Sequence, residues 1–159
     1  MATRTASAGS TTWTAAAFSG GAATTAADEV VVPTGSTLTI SAASTVLCRS
    51  LSVTGTGTLI FAAATSTVSI GDATAGTGNV ALSIAPGATI TLTASSGVIN
   101  FISTSTTQQT ITTGGKTLPG ITINGVGSSY VLGDALTQVI TGVSTTFDVL
   151  AGTFDTANY

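Results

Sequence analysis

The sequence predicts an all-β protein, and in particular a β-solenoid built from short strands. Apolar residues alternate with Thr and Ser at a period of two, which is typical of half-buried strands, and no helical period appears. The alternating runs begin about 8 to 10 residues apart, a spacing typical of all-β folds. Thr, Ala, Gly and Ser account for 96 of the 159 residues. Such small side chains suit coils that stack with equivalent residues in line.

The predicted strands follow one another without a long connection. They comprise residues 30–32, 38–40, 46–53, 59–61, 68–70, 80–84, 90–92, 98–102, 111, 121–123, 130–132, 136–140, 147–150 and 154. Turn residues separate them at 33–35, 54–57, 85–87, 95–97, 114–116 and 124–125. Gly and Asn tolerate a positive φ and Pro fixes φ, so these segments favour tight turns.

Two internal similarities favour the solenoid. Residues 35–40 resemble residues 87–92, and residues 57–61 resemble residues 97–101. Both matches are consistent with a coil of roughly 20 residues, near the lower limit for repeat proteins. Because the repeats are imperfect, a β-sandwich or jelly roll remains the alternative architecture.

The chain divides into an N-terminal cap or anchor segment, residues 1–29, and a β-solenoid domain, residues 30–159. A polar stretch at 105–118 marks a point where the solenoid could be subdivided. Trp13 and Phe18 are the only large side chains of the N-terminal segment. They have two interpretations: they cap the open end of the apolar core, or they anchor the protein to a partner, a role that favours aromatic residues.

Charge and histidine content argue against an enzyme. The chain has three basic and six acidic residues and no histidine, which excludes histidine-dependent catalysis and histidine-ligated metals. So few basic residues also argue against nucleic-acid binding. Lys116 is interpreted as a solvated turn residue. Asp28 and Glu29 are adjacent and so point to opposite faces of a strand. We therefore predict no catalytic residue, no cofactor and no metal site.

The remaining carboxylates are expected to have structural roles. These residues lie in or beside predicted turns, where Asp commonly accepts hydrogen bonds from nearby backbone: Asp72, Asp134, Asp148 and Asp155. Cys48 is the only cysteine, and its apolar neighbours predict a buried thiol. No apolar run is long enough to span a membrane, so no membrane partner is expected. An uncharged surface favours self-association.

Thr-x-Thr pairs recur along the chain, and they raise the alternative of an ice-binding solenoid. The pairs lie at 37/39, 65/67, 89/91/93, 104/106 and 110/112. Ice binding needs such pairs stacked on one face, coil after coil. Their irregular spacing in the sequence argues against that arrangement, since Thr is also simply a good strand former.

Several segments resemble tailed-bacteriophage structural proteins of the decoration or fibre type. The segments are an early Trp (Trp13), residues 28–40, the Cys48-Arg49-Ser50-Leu51-Ser52-Val53 strand, residues 109–125, residues 130–137 and residues 151–159. The resemblance covers most of residues 10–159. The chain departs from the pattern in having one Trp, and in stopping at Tyr159 where the relatives carry further coils.

The resemblance implies a non-enzymatic virion protein and transfers no catalytic residue. We expect a decoration or fibre subunit that assembles in the host cytoplasm, attaches to phage capsid or tail proteins, and forms a homo-oligomer such as a trimer. The alternative is a bacterial surface adhesin or extracellular fibre protein.

Overall fold

The computed structural model describes residues 2–14, 17–18, 21–41, 44–63, 65–93, 97–138 and 146–159. These residues form a β-solenoid of about five coils, in which all the strands pair in parallel. The prediction of a β-solenoid is therefore confirmed. The β-sandwich alternative does not apply, because sandwiches are built from antiparallel sheets.

Sixteen strands lie in the described part of the chain. They are β1 (Thr3–Thr5), β2 (Gly9–Thr12), β3 (Glu29–Val32), β4 (Ser36–Ile40), β5 (Thr45–Cys48), β6 (Ser50–Val53), β7 (Thr58–Phe61), β8 (Thr67–Ile70), β9 (Val80–Ile84), β10 (Thr89–Leu92), β11 (Val98–Phe101), β12 (Gln108–Thr112), β13 (Thr117–Leu118), β14 (Gly120–Leu132), β15 (Thr137–Gln138) and β16 (Phe147–Asp155). A short 3-10 helix, Thr77–Asn79, precedes β9.

Successive strands of one coil lie on three faces. The first face contains β1, β3, β6, β9, β12 and the C-terminal part of β14. The second face contains β2, β4, β7 and β10. The third face contains β5, β8, β11 and the N-terminal part of β14. Each strand pairs with its equivalent one coil away, so the backbone ladder runs along the solenoid axis.

The core consists of inward-facing side chains that stack in columns. On the third face, Val46, Val68, Ile99 and Ile121 are in register, and all four are buried. On the second face, Leu38 and Leu59 form a similar column that continues to Ile90. Alternate residues point outward and are half-buried or exposed, as the period-two pattern predicts.

The predicted turns stack on the corner between the first and second faces. At four successive corners a backbone N–H donates a hydrogen bond to the carbonyl three residues earlier. The pairs are Ser36 to Pro33, Gly57 to Thr54, Ala88 to Ala85 and Lys116 to Thr113. At this corner Gly114 has φ +62°, and a Cβ there would collide with the Ile84 carbonyl. Glycine is therefore required both by the turn and by the close approach of the previous coil.

Some strand boundaries differ from those predicted. Residues 46–53, predicted as one run, form β5 and β6, because the chain turns a corner at Arg49. Residues 121–123 and 130–132, predicted as two strands, belong to the single strand β14, which bends from the third face to the first. The turn predicted at residues 124–125 is therefore a bend within a strand. Of the predicted run 136–140, residues 139–140 lie outside the described residues, as do residues 95–96 of the turn predicted at 95–97.

The two predicted internal similarities have different outcomes. Residues 35–40 and 87–92 contain β4 and β10, which both lie on the second face, so they are structurally equivalent. Residues 57–61 and 97–101 contain β7 and β11, which lie on different faces. The segment 105–118 contains β12, which pairs with both β9 and β14, so the first face continues across it.

Candidate assembly interface at the C-terminal end

The last coil leaves core-facing side chains of β16 exposed. Phe147 and Val149 are in register with Ile121 and Ile123 of β14, so they occupy core-facing positions. Ile121 and Ile123 are 1% and 0% exposed, whereas Phe147 is 38% and Val149 is 47% exposed. Within the described residues, the apolar core is therefore open at the C-terminal end.

The open end forms a groove of about 300 Å³. Its apolar lining consists of Leu132, Ala135, Leu136, Phe147, Phe154 and Tyr159. The Phe147 and Phe154 rings meet edge to face with centroids 4.8 Å apart, and Tyr159 Oη donates a hydrogen bond to the Gly133 carbonyl at 3.1 Å. These contacts join the aromatic side chains to one another and to the backbone that follows β14.

A free strand edge borders the groove. β16 is nine residues long and pairs with β14 along one edge, and no other strand of the described chain pairs with its second edge. An unpaired edge offers a row of backbone donors and acceptors to another strand. Leu150, at the middle of β16, is 68% exposed and adds apolar surface beside that edge.

A fully buried aromatic pair lies one layer beneath the groove. Phe154 is in register with Tyr130, which is fully buried and stacks against Phe101 with ring centroids 5.2 Å apart. The Ser103 backbone N–H donates a hydrogen bond to Tyr130 Oη at 3.2 Å. Burial raises the pKa of the Tyr130 phenol, so this group stays neutral and serves as a packing and hydrogen-bonding element.

The N-terminal end has the opposite character. Arg4 of β1 is in register with Val30, so a charged residue occupies the first position of a core-facing column. Its Nε lies 3.6 Å from Oδ2 of Asp28, whose side chain is 7% exposed. Residues 17–18 fold back onto β1: Ala6 and Phe18 form an antiparallel bridge, and Ser7 N–H donates to the Ala17 carbonyl at 2.8 Å.

Trp13 and Phe18 lie inside this closed end. Trp13 is 7% and Phe18 is 3% exposed, and their rings pack edge to face with centroids 5.6 Å apart. Trp13 Nε1 donates a hydrogen bond to Thr24 Oγ1 at 2.9 Å. This is the arrangement that the capping interpretation describes. A role in anchoring a partner stays a prediction, and it would require these buried rings to become accessible.

The carboxylates bind backbone or neighbouring polar groups, and they are spread over the solenoid. Asp72 accepts from Ala73 N–H and from Arg49 Nη2, and Asp155 accepts from Ala157 N–H. Asp134 reaches across to the preceding coil, where Thr113 and Gly114 N–H donate to it, both at 2.6 Å. A local turn role was thus predicted for Asp134, but this residue joins two coils.

Cys48 matches its sequence interpretation, whereas Lys116 matches in its position beside a turn but not in being solvated. Cys48 is a fully buried free cysteine, and burial raises the pKa of its thiol, so the prediction of a buried, unreactive thiol is confirmed. Lys116 lies in the turn that precedes β13 and is half-buried. Asp148, predicted beside a turn, lies within β16 and accepts a hydrogen bond from Thr146 Oγ1 at 2.6 Å.

The signal for the C-terminal groove was present in the sequence but ambiguous. The sequence predicts strands at residues 147–150 and 154, but the alternating pattern does not distinguish a covered coil from an open one.

In the described residues no helix combines the length and apolar character needed to cross a membrane. Nor does any group of three or more Cys, Asp or Glu side chains there stand close enough to hold a metal ion. Comparison with family models, curated proteins and solved structures found no match to this chain.

Proposed function

We propose that this protein is a non-enzymatic structural subunit that self-associates through its C-terminal end. The observation that carries the proposal is the exposure of the core-facing residues Phe147 and Val149 beside the free edge of β16. Covering these side chains removes apolar surface from water, and pairing the edge satisfies its backbone groups. The partner we propose is the same end of another copy of this chain.

The closed N-terminal end supports contact between like ends. Stacking of one solenoid head to tail on the next would place β1 and the Arg4–Asp28 pair against the open groove. The N-terminal end presents an ion pair and two packed aromatic rings where the C-terminal end presents exposed apolar side chains. The two ends are therefore poorly complementary. A contact between two identical C-terminal surfaces leaves neither surface free for a further copy. It therefore gives an oligomer of defined size instead of a filament.

The setting that we propose for this subunit is a phage virion, as a decoration or fibre protein on capsid or tail. The proposal rests on the sequence resemblance, and the solenoid fold, which bears only 9 charged side chains, is compatible with it. Mass spectrometry of purified particles, followed by a cryo-EM map, tests this assignment. Absence of the protein from particles would contradict the virion role and leave the self-association proposal to its own test.

Self-association is tested by light scattering of the purified protein with Val149→Lys. The wild type is expected to be a dimer, because a contact between two identical surfaces closes about a twofold axis, whereas the trimer expected from the sequence would need two different surfaces. V149K is expected to be a monomer, because a lysine would have to be buried unpaired at the contact. Val126→Lys is the matched control, since Val126 is 75% exposed at the bend of β14 and does not belong to the free-edged strand β16. V126K should keep the wild-type mass.

A stable wild-type monomer would contradict the proposal, as would an oligomer that V149K leaves intact. Circular dichroism on both variants separates loss of assembly from loss of fold. Val149 is 47% exposed in the single chain, so its replacement should leave the solenoid folded.

A further inference from the structure

The second face carries two outward-facing columns of hydroxyl side chains. In the first column Ser10, Thr37, Thr58 and Thr89 are in register on β2, β4, β7 and β10. In the second column Thr12, Thr39, Ile60 and Thr91 are in register on the same strands. Seven of these eight positions are Thr or Ser, and the pairings that join them have no register shift.

This arrangement corrects the argument from sequence spacing. The pairs 37/39 and 89/91 are separated by unequal loops in the chain, yet they stack on one face with Thr58 and Ile60 between them. Coil length varies at the corners, while the strands keep a fixed register. Of the other pairs, 110/112 lies on the first face, 65/67 ends at the first residue of β8 on the third face, and 104/106 lies outside the strands.

The columns form a regular lattice of hydroxyl and methyl groups. Neighbouring parallel strands are about 4.8 Å apart, and residues i and i+2 of one strand are about 6.6 Å apart. Thr37, Thr39 and Thr58 are half-buried by their neighbours, and β-branched side chains in strands are stiff at χ1. Among the described residues, the hydroxyls of these columns have no hydrogen bond to the protein, so each is available to water.

The other faces lack this regularity. The equivalent outward column of the third face reads Leu47, Ser69, Asn100, Thr122 and Asp148. One outward column of the first face reads Thr5, Val31, Ser52, Ser83 and Thr112, but the neighbouring column contains Glu29, and the pairing of β12 with β9 has a register shift between Thr110 and Ile111. A charged or amide side chain binds water in its own geometry. The second face thus combines two columns in unbroken register, hydroxyl side chains at all positions except Ile60, and the absence of charge on its described strands.

We propose that the second face binds ice. Its two repeat distances are close to the spacing of oxygen atoms on a prism plane of hexagonal ice, so the hydroxyls can join the lattice while the methyl groups exclude liquid water between them. Each contact is weak, but the array is rigid before binding, so many contacts form without a further cost in conformational entropy. Ice binding is independent of the contact proposed for the C-terminal end.

The proposal is tested by thermal hysteresis and by partition of the protein into slowly grown ice. The wild type is expected to lower the freezing point below the melting point, to shape ice crystals into facets, and to concentrate in the ice. Thr58→Tyr, at the centre of the array, should lose most of the hysteresis, because a large ring lifts the face from the lattice. Thr122→Tyr on the third face is the matched control and should keep it.

A gain-of-function variant makes the test sharper. Ile60→Thr completes the second column and is expected to raise thermal hysteresis above that of the wild type. Wild-type protein at millimolar concentration that shows no hysteresis and is excluded from ice would overturn the proposal. So would equal activity of T58Y and T122Y when circular dichroism shows both to be folded.

Discussion

The apolar core of this solenoid is covered at the N-terminal end and open at the C-terminal end, among the described residues. At the N-terminal end, Arg4 begins a core-facing column, and Trp13 and Phe18 are buried behind it. At the C-terminal end, Phe147 and Val149 occupy core-facing positions and remain half exposed. A stack of parallel coils leaves an unpaired strand edge and an apolar core layer at each end. Each end must therefore be covered by the chain's own side chains or by a partner. Within the described part of the chain, the molecule thus has one end at which the apolar core is covered and one at which it is open.

The largest expected effect is the loss of stability on truncating an aromatic residue at the closed end. Phe18→Ala removes a ring that is 3% exposed and packs against Trp13, so we expect it to lower the free energy of unfolding by about 3–5 kcal/mol. Phe147→Ala removes the same atoms from a half-exposed site and should cost only about 1 kcal/mol in the monomer. Urea unfolding of both variants measures the difference.

Dilute samples keep that comparison free of assembly, because any oligomer adds stability to the C-terminal end by mass action. Equal losses for F18A and F147A would contradict the distinction between a closed and an open end. A loss for F147A that grows with protein concentration would sharpen it, since the ring would then contribute at a contact between copies.

Alternation of apolar and polar residues was enough to predict most strands, because every coil has the same need for one buried and one outward-facing side of each strand. Residues 30–32, 38–40, 59–61 and 68–70 were all predicted as strands on that pattern, and all lie in strands. The pattern failed at β1 and β2, where Thr, Gly and Ser dominate. Those strands are held mainly by backbone pairing, β1 with β3 and β2 with β4. Backbone pairing cannot be predicted from the periodicity of side chains.

The candidate sites depend on register, and a single sequence does not reveal register. The corner segments between the strands differ in length, so equivalent hydroxyl side chains are unevenly spaced in the sequence. They line up only in the folded solenoid. The exposed state of Phe147 depends on its being the last core-facing layer in the described chain, and a Phe in a strand looks the same in any coil. Closure of the N-terminal end by Trp13 and Phe18 was one of two interpretations, and their burial distinguishes the closed end from the open one.

A second prediction concerns the pH dependence of the closed end. Burial alone would raise the pKa of the Asp28 carboxyl, but hydrogen bonds from Thr25 and the charge of Arg4 outweigh it and lower the pKa. A lowered folded-state pKa gives stability that is present above the unfolded value of about 3.9 and is lost as the pH falls through the folded value. Asp28→Asn should thus be less stable than the wild type at neutral pH.

The difference between the wild type and D28N is expected to stay constant above about pH 5 and to shrink as the pH falls below about 4. Thermal unfolding measured across that range tests this. Arg4→Met should have a smaller effect of the same sign, because the two hydrogen bonds from Thr25 to Asp28, both 3.0 Å, remain. A gap between wild type and D28N that does not narrow in acid would contradict the role assigned to Asp28.

The smallest expected effect is a gain in stability at a residue two layers beneath the open groove. Gln109 is in register with Tyr130, which in turn is in register with Phe154. It is fully buried, and neither Oε1 nor Nε2 has a hydrogen-bond partner among the described residues. A buried amide without partners costs about 1–3 kcal/mol, so Gln109→Met should raise the free energy of unfolding by about 1–2 kcal/mol.

Gln108→Met is the matched control, because Gln108 is exposed on the same strand and should change stability by no more than about 0.5 kcal/mol. A destabilised Q109M with an unchanged Q108M would mean that the Gln109 amide is satisfied in solution. The gain for Q109M should also be equal in the V149K background, because a stronger layer beneath the groove adds stability to the monomer without altering the exposed surface of β16. A stability gain that depends on assembly would instead indicate that Gln109 contributes to the contact between copies. That contact would then extend two layers into the core.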